Sequence, residues 1–156
     1  MSELILYQTE DGHTRVQLRV AEGSVWLSQL EIAELFATSK QNVSLHAANV
    51  LKEGELTADS VVKESLTTAA DGKKYRTKLY RLEMILAVGY RVRGHRGTQF
   101  RQWATARLSD YLVKGFAMDD ERLKNPPGPG HTDYFDELLA RIRDIRSSER
   151  RFYQKV

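Results

Sequence analysis

The 156-residue chain contains no cysteine. That absence removes disulfides, thiolate metal sites and thiol nucleophiles together, and it fits a reducing compartment. Long hydrophobic runs are missing as well. No stretch approaches the roughly 18 apolar residues of a membrane span, and the N-terminus has neither the basic nor the apolar region of a signal peptide. The expectation is a soluble, cytoplasmic protein with no membrane partner. Proline is scarce: all three prolines fall in LKNPPGPG, residues 123–130, beside two glycines. Such a stretch cannot continue a helix and favours an extended linker. The length accommodates one main domain and an appendage rather than two independent cores. The expected organisation is a domain over 1–122, a linker over 123–132 and an amphipathic segment over 133–156.

Acid is scarce in one region. Between residues 73 and 101, nine Lys and Arg stand against the single acid Glu83, whereas from residue 117 onward the count is eight against eight. A formal net charge of only +3 conceals this asymmetry. A local excess of that size is the footprint of a polyanion-binding surface, or else a solvated face.

Catalytic signatures are lacking too. His13, His46, His95 and His131 are dispersed, and there is no HExxH, Gly-x-Ser-x-Gly or phosphate-binding loop. Asp119, Asp120 and Glu121 are clustered, as a magnesium nuclease needs, but three adjacent acids cannot all face one site on a helix. A solvated turn explains them better. The chain is therefore not expected to be an enzyme and calls for no cofactor or metal; a nuclease or other nucleic-acid-processing enzyme is the remote alternative.

The patterns that are present are α and β. Leu4 and Leu6, then Val16, Leu18 and Val20, alternate around Asp11-Gly12, which is a hairpin signal. Ser28 with Glu31 three residues later is the capping-box spacing, so a helix begins at about Gln29 and ends near Phe36 or Ala37. Thr38 or Ser39 caps a second helix. There Val43, Ala47 and Val50 make one apolar stripe, with Gln41, Ser44 and Ala48 roughly opposite. Two short helices joined by a tight turn, with small Ala33 at the crossing and Val43 as anchor, resemble a helix-turn-helix, whose second helix enters the major groove. The polar residues suit that task. Lys donates to guanine O6 and N7, Gln or Asn bonds adenine N6 and N7, and a small Ser44 lets the helix approach base edges. A helical hairpin in an ordinary core, with a wet polar side, is the plainer alternative. The usual motif carries Gly where this chain has Ala37, and Ala at positive φ costs about 1 kcal/mol, so a non-standard crossing is expected.

Downstream, VVKESLTTAADGKKYRTKLYRL supplies a second hairpin around Asp71-Gly72. Lys73 and Lys74 sit at its tip, while Arg76 and Lys78 share a face by alternation. A hairpin after a helix pair looks like a wing that lies on phosphates; a lysine-blunted edge hairpin is the bland alternative. Leu82, Ile85, Leu86 and Tyr90 form the expected inner face of the next helix. Phe100, Trp103, Ala104, Leu108, Tyr111 and Leu112 form that of the one after it, as core. YRVRGHRG, with Arg91, Arg93, His95 and Arg96, lies between them as a possible phosphate contact. Beyond the linker, Phe135, Leu138, Ile142, Ile145, Glu149 and Phe152 step by three and four, the spacing of a coiled-coil seam apart from Glu149.

The run from Trp26 to Phe116, above all TSKQNVSLH, VVKESLTTAADGKKY, AVGYRVRGHRGTQFRQWA and VKGFAMDDERLKN, resembles the RhuM family of bacterial virulence-associated proteins. With DYFDELLARIRDIRSSERRFYQKV the resemblance covers nearly the whole chain. It implies DNA binding and no catalytic residue, and it implies that family chains continue beyond the position of Val156. A looser similarity, carried by Arg101, Trp103 and Gly115-Phe116, is to the N-terminal domain of phage antirepressor and baculovirus-repeat proteins, as fold analogy.

Together these readings give an α+β fold: a winged helix-turn-helix-like domain with β-hairpins, followed by a C-terminal amphipathic helix. The expected partner is double-stranded DNA, bound with sequence preference by a transcriptional or mobile-element regulator, with a homodimer through residues 133–156. The candidate DNA-binding residues are Ser39, Lys40, Gln41, Asn42, Ser44, Lys73, Lys74, Arg76, Lys78, Arg93 and Arg96. His46, which flanks the apolar stripe where packing or hydrogen bonding is its plainer role, joins them. The alternative is a protein-interaction module, an antirepressor or adaptor whose basic face meets an acidic protein.

Overall fold

The computed structural model describes residues 3–8 and 15–21 as backbone, together with 24–128, 132–148 and 153–154. The chain divides into two compact units, Glu3–Ala117 and a second that contains Met118–Val156.

In the first unit, strand β1 (Glu3–Gln8) pairs antiparallel with β2 (Arg15–Ala21), and β2 pairs with β3 (Ser24–Ser28). The expected turn at Asp11-Gly12 lies outside the described residues. Helices α1 (Gln29–Leu35), α2 (Lys40–Lys52) and the single-turn α3 (Ala58–Val61) follow. Strands β4 (Val62–Thr68) and β5 (Lys74–Arg81) form the second hairpin, and α4 (Leu82–Arg91) and α5 (His95–Lys114) complete the unit. The sheet order is β1-β2-β3-β5-β4. In the antiparallel trio β3-β5-β4, Leu27 pairs with Tyr80 and Tyr80 with Val62. The second unit contains α6 (Asp120–Lys124) and α7 (Phe135–Arg146). The fold is α+β, as the sequence patterns imply.

The start of α1 follows from two side chains. Ser28 Oγ accepts from the Glu31 N–H at 3.2 Å, and the Glu31 carboxylate accepts from the Ser28 N–H at 3.0 Å. Two orphan donors at the helix start are thereby satisfied. Its end is a Schellman turn: Thr38 N–H donates to Ala33 O at 2.9 Å and Ala37 N–H to Glu34 O at 3.3 Å. Ala37 adopts φ 52° there, so the turn between α1 and α2 holds a left-handed residue in spite of its Cβ. Ser39 then caps α2, accepting from the Asn42 N–H at 3.1 Å.

The core lies between the helices and one face of the sheet. Val25, Leu27 and Tyr80 point inward from the strands, and Ile32, Ala33, Phe36, Val43, Ala47 and Val50 meet them from α1 and α2. Each fully buried Val contributes about 1.5–3 kcal/mol over an exposed one. Phe100 of α5 closes the far side, edge-on to Phe36 with ring centroids 5.3 Å apart.

Two expected faces are placed differently. In α4 the buried residues are Met84, Ile85, Ala87, Val88 and Gly89, with Leu82 and Leu86 at the margin and Tyr90 half exposed. Helix α4 packs on α2, α5 and the sheet at once, so its buried arc is wider than one stripe of large side chains. Gly89 belongs to that arc because a Cβ there would lie 2.6 Å from Phe100 Cε1 and 2.7 Å from Phe36 Cζ. In α5 only Phe100 and Ala104 of the expected core stripe are buried; Trp103 is partly so, and Leu108, Tyr111 and Leu112 are exposed. A helix of 20 residues is about 30 Å long and outruns the small core that its first half covers.

Candidate nucleic-acid interface

Helix α2 is held by its inner face and at both ends, and two arginines brace the pair it forms with α1. Val43, Ala47 and Val50 are buried against α1 and α4. At the N-terminal end, the Asn42 side-chain amide donates to Thr38 Oγ1 at 2.8 Å, which makes Asn42 part of the turn's own bonding. At the other end, Arg91 donates to Glu53 at 2.6 Å and Glu55 at 2.9 Å, tying the residues after α2 to the end of α4. Its bond to Arg91, then the charge of that guanidinium, holds the Glu53 carboxyl below its ordinary value. Arg96 donates to the backbone carbonyls of Glu34 at 2.8 Å and Leu35 at 3.3 Å, capping the last turn of α1. A cation on carbonyls at a helix C-terminus also complements the macrodipole. Of the basic residues around the α4–α5 connection, Arg91 at the end of α4 and Arg96 at the start of α5 therefore brace the helix pair, and Arg93 stands exposed.

The opposite side of α2 is open to solvent. Lys40, Gln41, Ser44, Leu45, Ala48 and Lys52 are exposed, and the helix carries no Asp or Glu along its length. Of the expected readers, Lys40, Gln41 and Ser44 thus share an accessible surface with the exposed cap Ser39, whereas Asn42 is half-buried in the turn. His46 is half-buried at the edge of the stripe; burial, then the charges of Arg91 and Arg93, hold its imidazole below the ordinary value. Leu45 and Lys52 complete the outward face, and their spacing of four and eleven from Gln41 is the signal that places them there.

The β4–β5 hairpin extends from the sheet with Thr68 opposite Lys74. Gly72 at φ 80° closes the turn. Asp71 braces the tip, accepting from the Lys73 N–H and the Tyr75 hydroxyl, each at 2.9 Å, and these bonds hold its carboxyl below the usual range. Lys73, Lys74, Arg76 and Lys78 are all exposed. Lys74, Arg76 and Lys78 share the face that ends inward at buried Tyr80. Glu64, 3.9 Å from Arg76, and Asp71 offset part of that charge. In the second unit, Asp119 caps α6 through the Arg122 N–H at 3.2 Å, and Glu121 lies 3.3 Å from Lys124. Those contacts give two of the three clustered acids a local bonding role. Among the described residues no helix is long and apolar enough to cross a membrane.

None of the curated proteins and none of the solved structures matches this chain. A family model described as virulence protein RhuM family matches residues 60–156. The match begins within α3, so it takes in the β4–β5 hairpin, the bracing loop and everything after, while the α1–α2 pair precedes it. Because it spans more than half of the sequence, the chain belongs to the RhuM family of virulence proteins.

Proposed function

We propose that this protein binds double-stranded DNA with sequence preference, as a transcriptional or mobile-element regulator built on a winged helix-turn-helix. Strand, helix, turn, helix and hairpin follow one another as β3, α1, α2, β4 and β5, with the single-turn α3 between α2 and β4, and β3 pairs with β5, the returning strand of the hairpin. In this reading α2 lies in the major groove and the hairpin runs along the phosphates. The observation that carries it is the outward face of α2: Lys40, Gln41 and Ser44 exposed, opposite a fully packed stripe, on a helix without acids. A merely solvated helix has no need to exclude acids, which phosphates repel. Residues 133–156 supply a homodimer contact in the same scheme. The role requires no catalysis, cofactor or metal.

Selection of bound fragments from a random duplex pool at physiological salt tests the proposal. An enriched motif, with affinity falling as salt rises, is the expected result; recovery of the pool unchanged overturns it. A protein-interaction module whose basic face meets an acidic protein is the second reading, and the apolar residues Leu108, Tyr111, Leu112 and Phe116, exposed toward the end of α5 and just after it, would add to its contact surface. Binding to an acidic protein without sequence-dependent DNA retention would establish that reading instead.

A further inference from the structure

We propose that Leu45, with Ala48 beside it, reads thymine through the C5-methyl group, so that the site bound by α2 contains thymine within one helical turn of the base met by Gln41. This inference rests on the DNA-reading role of α2. Leu45 is 57% exposed in the middle of a 13-residue helix whose other large aliphatic residues, Val43, Val50 and Leu51, are buried or partly so. A single exposed leucine is ordinary on a protein surface. The arrangement around this one is what carries the argument. Gln41, Leu45, Ala48 and Lys52 follow at intervals of four, three and four, so they form one continuous ridge opposite Val43, Ala47 and Val50. The ridge therefore runs from an amide that can pair with adenine, across an apolar step, to a cation.

The major groove offers one apolar feature, the methyl of thymine, and apolar side chains contact it. Cytosine presents an amino donor at the neighbouring position, which Leu45 would desolvate without a partner. Ala48 is small enough to let the helix approach so that Leu45 reaches the methyl. Lys40 and Lys52 at the two ends of α2 and the absence of acid along it complement the phosphates on either side. The occupant of this apolar step is thus a thymine edge in duplex DNA.

The test uses the full chain and the duplex enriched by selection, with each thymine replaced in turn by deoxyuridine, which removes only the methyl. At one or two positions wild-type affinity is expected to fall about fourfold, the factor that burial of one carbon group corresponds to. Leu45→Ala, at an exposed position and with a good helix former, is expected to bind the thymine and deoxyuridine duplexes equally. If selection enriches a motif but no deoxyuridine replacement weakens wild-type binding, this inference fails while the DNA-reading role stands. An equal loss in wild type and Leu45→Ala would reassign the methyl contact to another residue. No enrichment at all overturns both.

Discussion

Ala37 shapes the turn between α1 and α2, and Gln41 lies exposed in the first turn of α2. Ala37 sits at φ 52°, where the Cβ meets the backbone and glycine is free. Its amide closes the Schellman turn, so the strain is borne to keep the two helices at their angle. Ala37→Gly should raise stability by about 1 kcal/mol, read as a higher urea midpoint with an unchanged slope. A fall in the midpoint would mean that unfolded-state entropy outweighs relief of the strain. Gln41, by contrast, is exposed on α2. Replacing Lys40 and Gln41 together by Ala should leave the melting temperature nearly unchanged while removing about 1–3 kcal/mol of base preference per good contact. Competition between the selected and random duplexes measures it, and undiminished discrimination in the folded double variant sinks the reading role of α2. The inward stripe of α2 and its Ser39 cap were legible in the sequence because both depend on residues at most one or two turns apart. The braces were not. Arg96 meets α1 carbonyls 61 and 62 residues away, and Arg91 meets Glu53 and Glu55 at 38 and 36. A linear count of basic residues records them as charge for a partner, whereas the fold uses them internally.

At the scale of elements, the hairpin was legible for the same local reason: Asp71-Gly72 specifies the turn and alternation specifies the faces. Pairing of β3 with β5 was not, since nothing in SVWLS names a partner more than 50 residues downstream. The inner faces of α4 and α5 mislead in opposite directions. Periodicity counts large apolar side chains, so it overlooks Gly89, whose value lies in the absence of a Cβ. It also marks Leu108, Tyr111 and Leu112 as core, although the core of the unit does not reach them. The hairpin gives a quantitative expectation. If Lys74 and Arg76 each neutralise a phosphate, Lys74→Ala with Arg76→Ala should reduce the magnitude of the log-affinity against log-salt slope by about 0.9 per lost contact and weaken all sequences alike. Arg76 also lies near Glu64, so its loss alone is expected to have the smaller effect. A slope identical to wild type in the double variant places the hairpin off the DNA.

For the whole molecule, the question is what covers α7. Its 12 residues include none that is buried, and Phe135, Ile142 and Ile145 are exposed with Leu138 on the same stripe. Glu149 and Phe152, which extend that seam in the sequence, lie outside the described residues. The charges are unevenly placed along the helix, with Asp136 and Glu137 in the first turn and Arg143 and Arg146, against the single acid Asp144, in the last. Antiparallel pairing of two copies sets the acidic end of each against the basic end of the other while joining the apolar stripes. Such a pair has two-fold symmetry. It would carry two copies of α2 to half-sites about one turn of DNA apart, roughly 34 Å, and the selected motif should then be palindromic. Three turns of helix bury little, so association should be modest and should weaken with added salt as the end charges are screened. Light scattering on residues 1–130 and 1–156 decides the matter: the shorter chain should be monomeric at every concentration, and the longer one should approach twice its monomer mass as concentration rises. Monomeric masses for both at high concentration would remove the dimer, and with it the expectation of a palindrome.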